Sequence, residues 1–261
     1  MERSKAAPAA AIFLIVLTGI HGLALAGHPF VTEDPGAQGK GNVEVEFSYE
    51  YQKADDGTKV HSLGNGFTLG VAPKLDLAIG YGYDFTKAPD GARDRGMGDV
   101  EAQLKTFFNE GKDLVPTFGL KGGVSLPVEE GGQTTILVTG IAEWAFEPFT
   151  VFANVGADIG TRLAGNDERT NVYRASVAGS WAVRQSLALV SELLWEKQSS
   201  PSEDATVEWM AGAQWSLNES MTLDAGVRFG LTDDSPDYTV LLGFTWAFQG
   251  DKTAAAPAGG K

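Results

Sequence analysis

The sequence predicts an all-β chain, a transmembrane antiparallel up-and-down β-barrel of about twelve strands, and three observations carry that prediction. The first is alternation. From Tyr238 to Phe248, Tyr238, Val240, Leu242, Phe244, Trp246 and Phe248 fall on one parity, and Thr239, Leu241, Gly243, Thr245 and Ala247 on the other. A strand that is bulky and apolar on one face and small or polar on the other divides lipid from a lumen. The second is recurrence, since similar stretches of ~10 residues, enough for a tilted strand to cross a bilayer, return about a dozen times. The third is that tight turns alternate with longer polar loops, the asymmetry of outer-membrane barrels.

Taken in order, the chain begins with a leader. Arg3 and Lys5 precede the mostly apolar run 9–20, and Ala24-Leu25-Ala26 is a small-x-small site, so residues 1–26 read as a signal peptide cleaved after Ala26. The absence of Cys excludes both a disulfide framework and a lipidated cysteine. Residues 27–41, GHPFVTEDPGAQGKG, lack any period and are rich in turn formers, which suggests a periplasmic N-terminal arm. The barrel is expected over 42–248, with strands at 42–51, 60–71, 75–85, 99–108, 115–126, 135–146, 149–159, 171–183, 187–196, 207–217, 221–231 and 238–248. Short turns at 72–74, 109–113, 147–148, 184–185 and 218–220 belong on the periplasmic side, and 86–98, 160–170 and 197–206 are expected as external loops. Residues 249–261, rich in Ala, Gly and Pro, are expected to be disordered.

The aromatic residues give an independent check. Every Trp and Tyr takes the outward parity and sorts toward a strand end: Trp144, Trp181, Trp215, Trp246 and Phe248 at the periplasmic rim, and Tyr49, Tyr81, Tyr83, Trp195 and Trp209 at the outer rim. Amphipathic rings prefer the two interfaces, so this distribution is a double girdle facing outer-membrane lipids and lipopolysaccharide. A soluble core would not sort its aromatics to both ends.

The same phasing turns most charges inward. Glu44, Glu46, Asp76, Asp84, Asp99, Glu101, Glu143, Asp158, Glu192, Glu208 and Asp224, with Lys105, Lys121, Arg174 and Arg228, are the candidate pore-lining residues. A charge facing lipid near the midplane costs a few kcal/mol, so confinement to one parity implies a wet or hydrogen-bonded interior. Two readings remain open: the basic groups pair with carboxylates and plug the barrel, or surplus carboxylates line a passage for small solutes that favours cations. Asp99, Glu101 and Lys105 share one strand face, as a selectivity region or as a salt-bridge network fixing register.

The charge balance of −14 excludes a nucleic-acid binder. An outer-membrane lipid hydrolase ranks third: the histidines are His21 in the leader, His28 in the arm and His61 on the outward parity, and there is no GxSxG elbow. A carboxylate set such as Glu44, Glu46 and Asp99 is better explained by solvation or salt bridges than by a cation, so neither metal nor cofactor is expected.

The segments His28-Pro29-Phe30-Val31-Thr32-Glu33-Asp34-Pro35-Gly36, Gly39 through Glu46, and Gly96-Met97-Gly98-Asp99-Val100-Glu101 through Lys105 resemble the Gram-negative outer-membrane family labelled for the meta-pathway of phenol degradation. The resemblance extends from His28 to Phe248. It implies an outer-membrane β-barrel suspected of taking up organic, including aromatic, compounds. The barrel pattern itself calls for insertion by the barrel-assembly machinery, with the internal Phe248 serving as the terminal aromatic of the assembly signal despite the tail. The resemblance supplies no catalytic residues.

Overall fold

The structure, a computed structural model, describes residues 28–128, 132–161, 170–200 and 204–249. The expected signal peptide, loop residues 162–169 and the tail from residue 250 lie outside the described residues.

Alternating side chains become strands here because one face has lipid to meet and the other a lumen, so neither helical period nor turn chemistry competes within each stretch. In chain order the strands are β1 (Val43–Lys53), β2 (Lys59–Ala72), β3 (Leu75–Lys87), β4 (Arg93–Met97), β5 (Val100–Phe107), β6 (Thr117–Leu126), β7 (Thr135–Phe146), β8 (Phe149–Gly160), β9 (Asn171–Arg184), β10 (Leu187–Gln198), β11 (Thr206–Asn218), β12 (Met221–Gly230) and β13 (Tyr238–Phe248). Each pairs antiparallel with its neighbours, and the ladder from Val43↔Phe248 to Lys53↔Tyr238 joins first to last. The result is a closed antiparallel barrel of twelve staves, because β4 and β5 are two halves of one stave.

That stave corrects one expectation. Residues 86–98 do not form an external loop. β3 runs on to Lys87 and β4 pairs with its upper part from Tyr83↔Met97 to Lys87↔Arg93, leaving only 88–92 as the hairpin tip. The stave breaks at Gly98-Asp99, where the Gly98 amide donates to the Gly82 carbonyl at 3.0 Å, and β5 then pairs with the lower part of β3. Val115 and Pro116, expected in a strand, instead close a turn through the Lys112↔Val115 bridge, and β6 starts at Thr117.

The outward face is apolar. Leu104, Val155, Trp215 and Phe149 are each half or more exposed, and all belong to the parity assigned to lipid. The girdle residues contact one another along the rims: Phe149 stacks on Trp181 at 5.9 Å and Trp246 meets Phe248 at 4.3 Å near the short-turn end, while Tyr51 meets Tyr238 at 6.0 Å near the other.

Inside, the barrel is not uniformly wet. The segment expected as a periplasmic arm over 27–41 instead enters the lumen and crosses it, as its described residues 28–41 show. The arm turns in at the foot of β1 through Gly39 and Gly41, whose φ of +80° and +84° suit glycine and are strained for other residues. The turn is laced to β2, with Gly41 donating to the Gly70 carbonyl and Gly70 to the Asn42 carbonyl. At the far wall Phe30 packs on Phe152, ring centroids 5.9 Å apart, within a cluster completed by Ala178, Val190, Met210 and Leu241. This side of the lumen is therefore a small dry core. Burial of Phe30 favours docking, and the charged groups of the arm leave water only because His28, Glu33 and Asp34 meet Asp224, Lys121 and Lys105 inside.

Candidate functional site

The site is the lumen as the arm divides it. Five anchors hold the arm, each on an inward-facing residue. Gln38 donates its amide to Asp76, at 2.9 and 3.2 Å to the two carboxylate oxygens. Glu33 bonds Lys121 directly, and Lys105 Nζ lies 3.8 Å from Glu33 and 3.7 Å from Asp34. Asn154 spans the arm backbone, accepting from the Glu33 amide at 2.6 Å and donating to the Glu33 carbonyl at 3.0 Å. Glu192 accepts from the amides of Val31 and Thr32 and from the Thr32 hydroxyl, the last two at 2.6 Å. His28 bonds Asp224, and Gln214 donates to the His28 carbonyl at 3.0 Å.

These contacts redistribute the candidate pore-lining residues. Asp76, Glu192 and Asp224 face inward, are 1%, 2% and 6% exposed and anchor the arm; Glu192 and Asp224 line none of the three cavities along the arm, whereas Asp76 also forms part of a cavity wall. Asp99, Glu101 and Lys105 each take a different partner, although Glu101 and Lys105 line the same cavity. Asp99 accepts from the Ser125 hydroxyl at 3.1 Å, Glu101 from Gln103, and Lys105 turns to the arm. Arg174 sits between Asp158 and Glu196, and Arg228 lies 3.9 Å from Glu208. Sequence reasoning assigned no role to His28, Phe30, Thr32, Glu33, Asp34 or Gln38, although these are the residues that shape the lumen. The signal was present: the stretch richest in family-like residues was also the one without a strand period.

Along the arm lies a chain of three cavities among the described residues. The outer one, about 470 Å³, is lined by Glu33, Glu50, Glu101, Asp158, Glu196 and Glu208 against Lys121, Arg174 and Arg228. A second of about 180 Å³ lies between the arm and strands β1, β2, β3, β5 and β6, with Glu44, Glu46 and Asp76 on its wall. A third of about 240 Å³ lies toward the short turns, bounded by Gln38, Glu44, Glu219 and Thr245. The first and second share Glu33, Glu101, Gln103 and Lys121, and the second and third share Asp34, Gln38, Glu44 and Lys105. Asp84 and Glu143 keep the inward register but line none of the three. Among the described residues no group of His, Asp or Glu is arranged to hold a metal ion.

Electrostatics tie the arm down in a pH-dependent way. Burial pushes the Glu33 carboxyl up, but Lys121 and Lys105 beside it outweigh burial and hold it below the ordinary value of 4.5. A carboxyl depressed in the docked state contributes its full stabilisation above the undocked value and loses it as pH falls through the docked one. The Glu33 contribution to docking is therefore expected to be complete at neutral pH and to be lost as pH falls below its ordinary value of 4.5, so acid should favour release of the arm. Open probability recorded against pH checks this, and an identical acid response in Glu33→Gln would refute the assignment to Glu33.

Three solved structures share the fold. An outer-membrane channel from Pseudomonas putida F1 matches with a TM-score of 0.62 at 13% identity, over 82% of this chain and 98% of that one. The NanC porin matches at 0.56 and 10%, over 78% and 98%. The KdgM porin in complex with disordered oligogalacturonate matches at 0.56 and 8%, over 79% and 99%. No curated protein matches the chain in sequence. The family described as "Putative MetA-pathway of phenol degradation" matches residues 26–248, the whole barrel together with its arm, and the chain belongs to that family.

Proposed function

We infer that the chain is a passive outer-membrane channel for small solutes, exported by its signal peptide, and that solutes pass beside the arm rather than through an open bore. The observation that carries this reading is the succession of three polar cavities whose walls share residues from the loop end to the short-turn end. A plug built only to seal would fill both sides of the lumen. Here the apolar cluster around Phe30 packs the arm against β8 to β13, and polar space lined by carboxylates remains beside the arm toward β1 to β6 and above it toward the loop ends of β8 to β12. The outer cavity carries six carboxylates against three basic groups, which favours cations and polar solutes. Small aromatic and other organic compounds are the first solutes to try, because the family description concerns phenol degradation.

Recording from the refolded protein in planar bilayers tests this directly. Discrete conductance steps with cations more permeant than anions in a salt gradient are expected. A silent bilayer would favour the sealed, structural barrel, and firm anion selectivity would contradict the acidic route. Neutralising Glu33 and Asp34 together, as Glu33→Gln with Asp34→Asn, removes the arm carboxylates from Lys105 and Lys121, which lie opposite each other on adjacent strands. The same gradient measurement is then expected to shift toward anions.

A further inference from the structure

On the outward face the rows of cross-strand partners change character abruptly toward the loop end. Leu242, Tyr49, Leu63, Tyr83 and Met97 form one row across β13, β1, β2, β3 and β4. The next is Val240, Tyr51, His61, Phe85 and Arg95. The one after that is Tyr238, Lys53, Lys59, Lys87 and Arg93. Four successive strands thus present a cation at the same level, immediately beyond the aromatic girdle, in a chain whose formal net charge is −14.

Like charges directly opposite one another on adjacent strands repel and destabilise the pairing, so an anionic partner would stabilise this row. Lys53 has one, Asp237 at 2.5 Å. Lys59, Lys87, Arg93 and Arg95 are exposed and form no ion pair among the described residues. Three nearby acids at the hairpin tips are turned to their own backbone. Asp56 accepts from the Thr58 amide and hydroxyl at 2.7 and 3.0 Å, Asp90 from the Ala92 amide at 2.8 Å, and Asp94 from the Arg95 amide at 2.8 Å, on the face opposite the cations.

We propose that Lys59, Lys87, Arg93 and Arg95 form a docking surface for the phosphate groups of the phosphorylated glycolipid in the outer leaflet. The aromatic rows beneath would lie against its acyl chains, and the cations stand at the depth where its phosphorylated sugars begin. Arginine suits this role through its fork of donors, and a row of point charges provides attraction without requiring one fixed pose.

The test uses the refolded full chain in detergent with bisphosphorylated lipid A, followed by native mass spectrometry or titration calorimetry. The comparison is the variant Lys59→Gln/Lys87→Gln/Arg93→Gln/Arg95→Gln, whose heat-modifiable migration on gels reports an intact barrel. Wild type is expected to bind lipid A roughly tenfold tighter than the variant or better, with unchanged bilayer conductance in both. Dephosphorylated lipid A should bind both alike, and millimolar inorganic phosphate should not displace the lipid. Equal binding of lipid A by the variant would overturn the proposal. So would displacement by free phosphate, which would indicate a simple anion site, or loss of binding when divalent cations are chelated, which would assign the contact to metal-bridged loop carboxylates.

Discussion

Deleting residues 28–38 is expected to raise single-channel conductance several-fold, the largest functional change available in this chain. The arm crosses the lumen from Asp76 on β3 to Asp224 on β12, and the passage left beside it narrows to a cavity of about 180 Å³. The ring itself does not depend on these residues. It closes through the backbone ladder between β1 and β13, and Gly39 to Asn42, which lace the turn to β2, are retained. Once the arm is gone, Lys105, Lys121, Glu192 and Asp224 meet water instead of arm partners, and the apolar patch of Phe152, Val190, Met210 and Leu241 loses Phe30. That patch becomes the wall of a wider bore. Planar-bilayer recording of the truncated and complete chains decides the matter, and equal step sizes would show that the arm does not set the passage.

Glu192→Ala is expected to release the arm without shortening it. Its carboxylate is 2% exposed and accepts two arm amides and one arm hydroxyl. Hydrogen bonds to a charged group are worth about 1.5–3 kcal/mol each, and donors left unpaired in a buried place add their desolvation cost. The non-additive sum is roughly 3–5 kcal/mol against docking. Glu192→Gln keeps an acceptor at the same reach and should lose less. Limited proteolysis of the refolded barrel reads the outcome: the arm of Glu192→Ala should be cut near residues 30–38 while the barrel survives, with conductance approaching that of the truncation. Wild-type protection in Glu192→Ala would mean that Phe30 and the lysines suffice to hold the arm.

Both predictions concern a segment whose position the amino-acid sequence did not disclose, and the reason is physical. A strand announces its faces because each residue's side is set by its immediate neighbours, so the outward parity of Tyr49, Trp144 or Trp246 and the inward parity of Asp76 or Glu192 follow from a period of two. Strand limits followed from the same local rule and failed only where another local force intervened. At 86–98, turn formers and charges read as loop, but the β3 ladder simply continues past the barrel rim. The arm has no period, and its partners lie far along the chain: Asn154 is 121 residues from Glu33, Glu192 is 160 from Thr32, and Asp224 is 196 from His28.

What the sequence determined on its own was therefore the wall: an all-β barrel, its lipid side, its girdles and the set of charges that face inward. Parity states which way a side chain points, but not what stands opposite it. Only closure of the ring decided that Asp76, Glu192 and Asp224 hold the arm, while Glu50, Glu101 and Glu208 face open space. The same closure set Lys53, Lys59, Lys87 and Arg93 at one level, because register between strands is fixed by the pairing of whole ladders and not by any single stretch of chain.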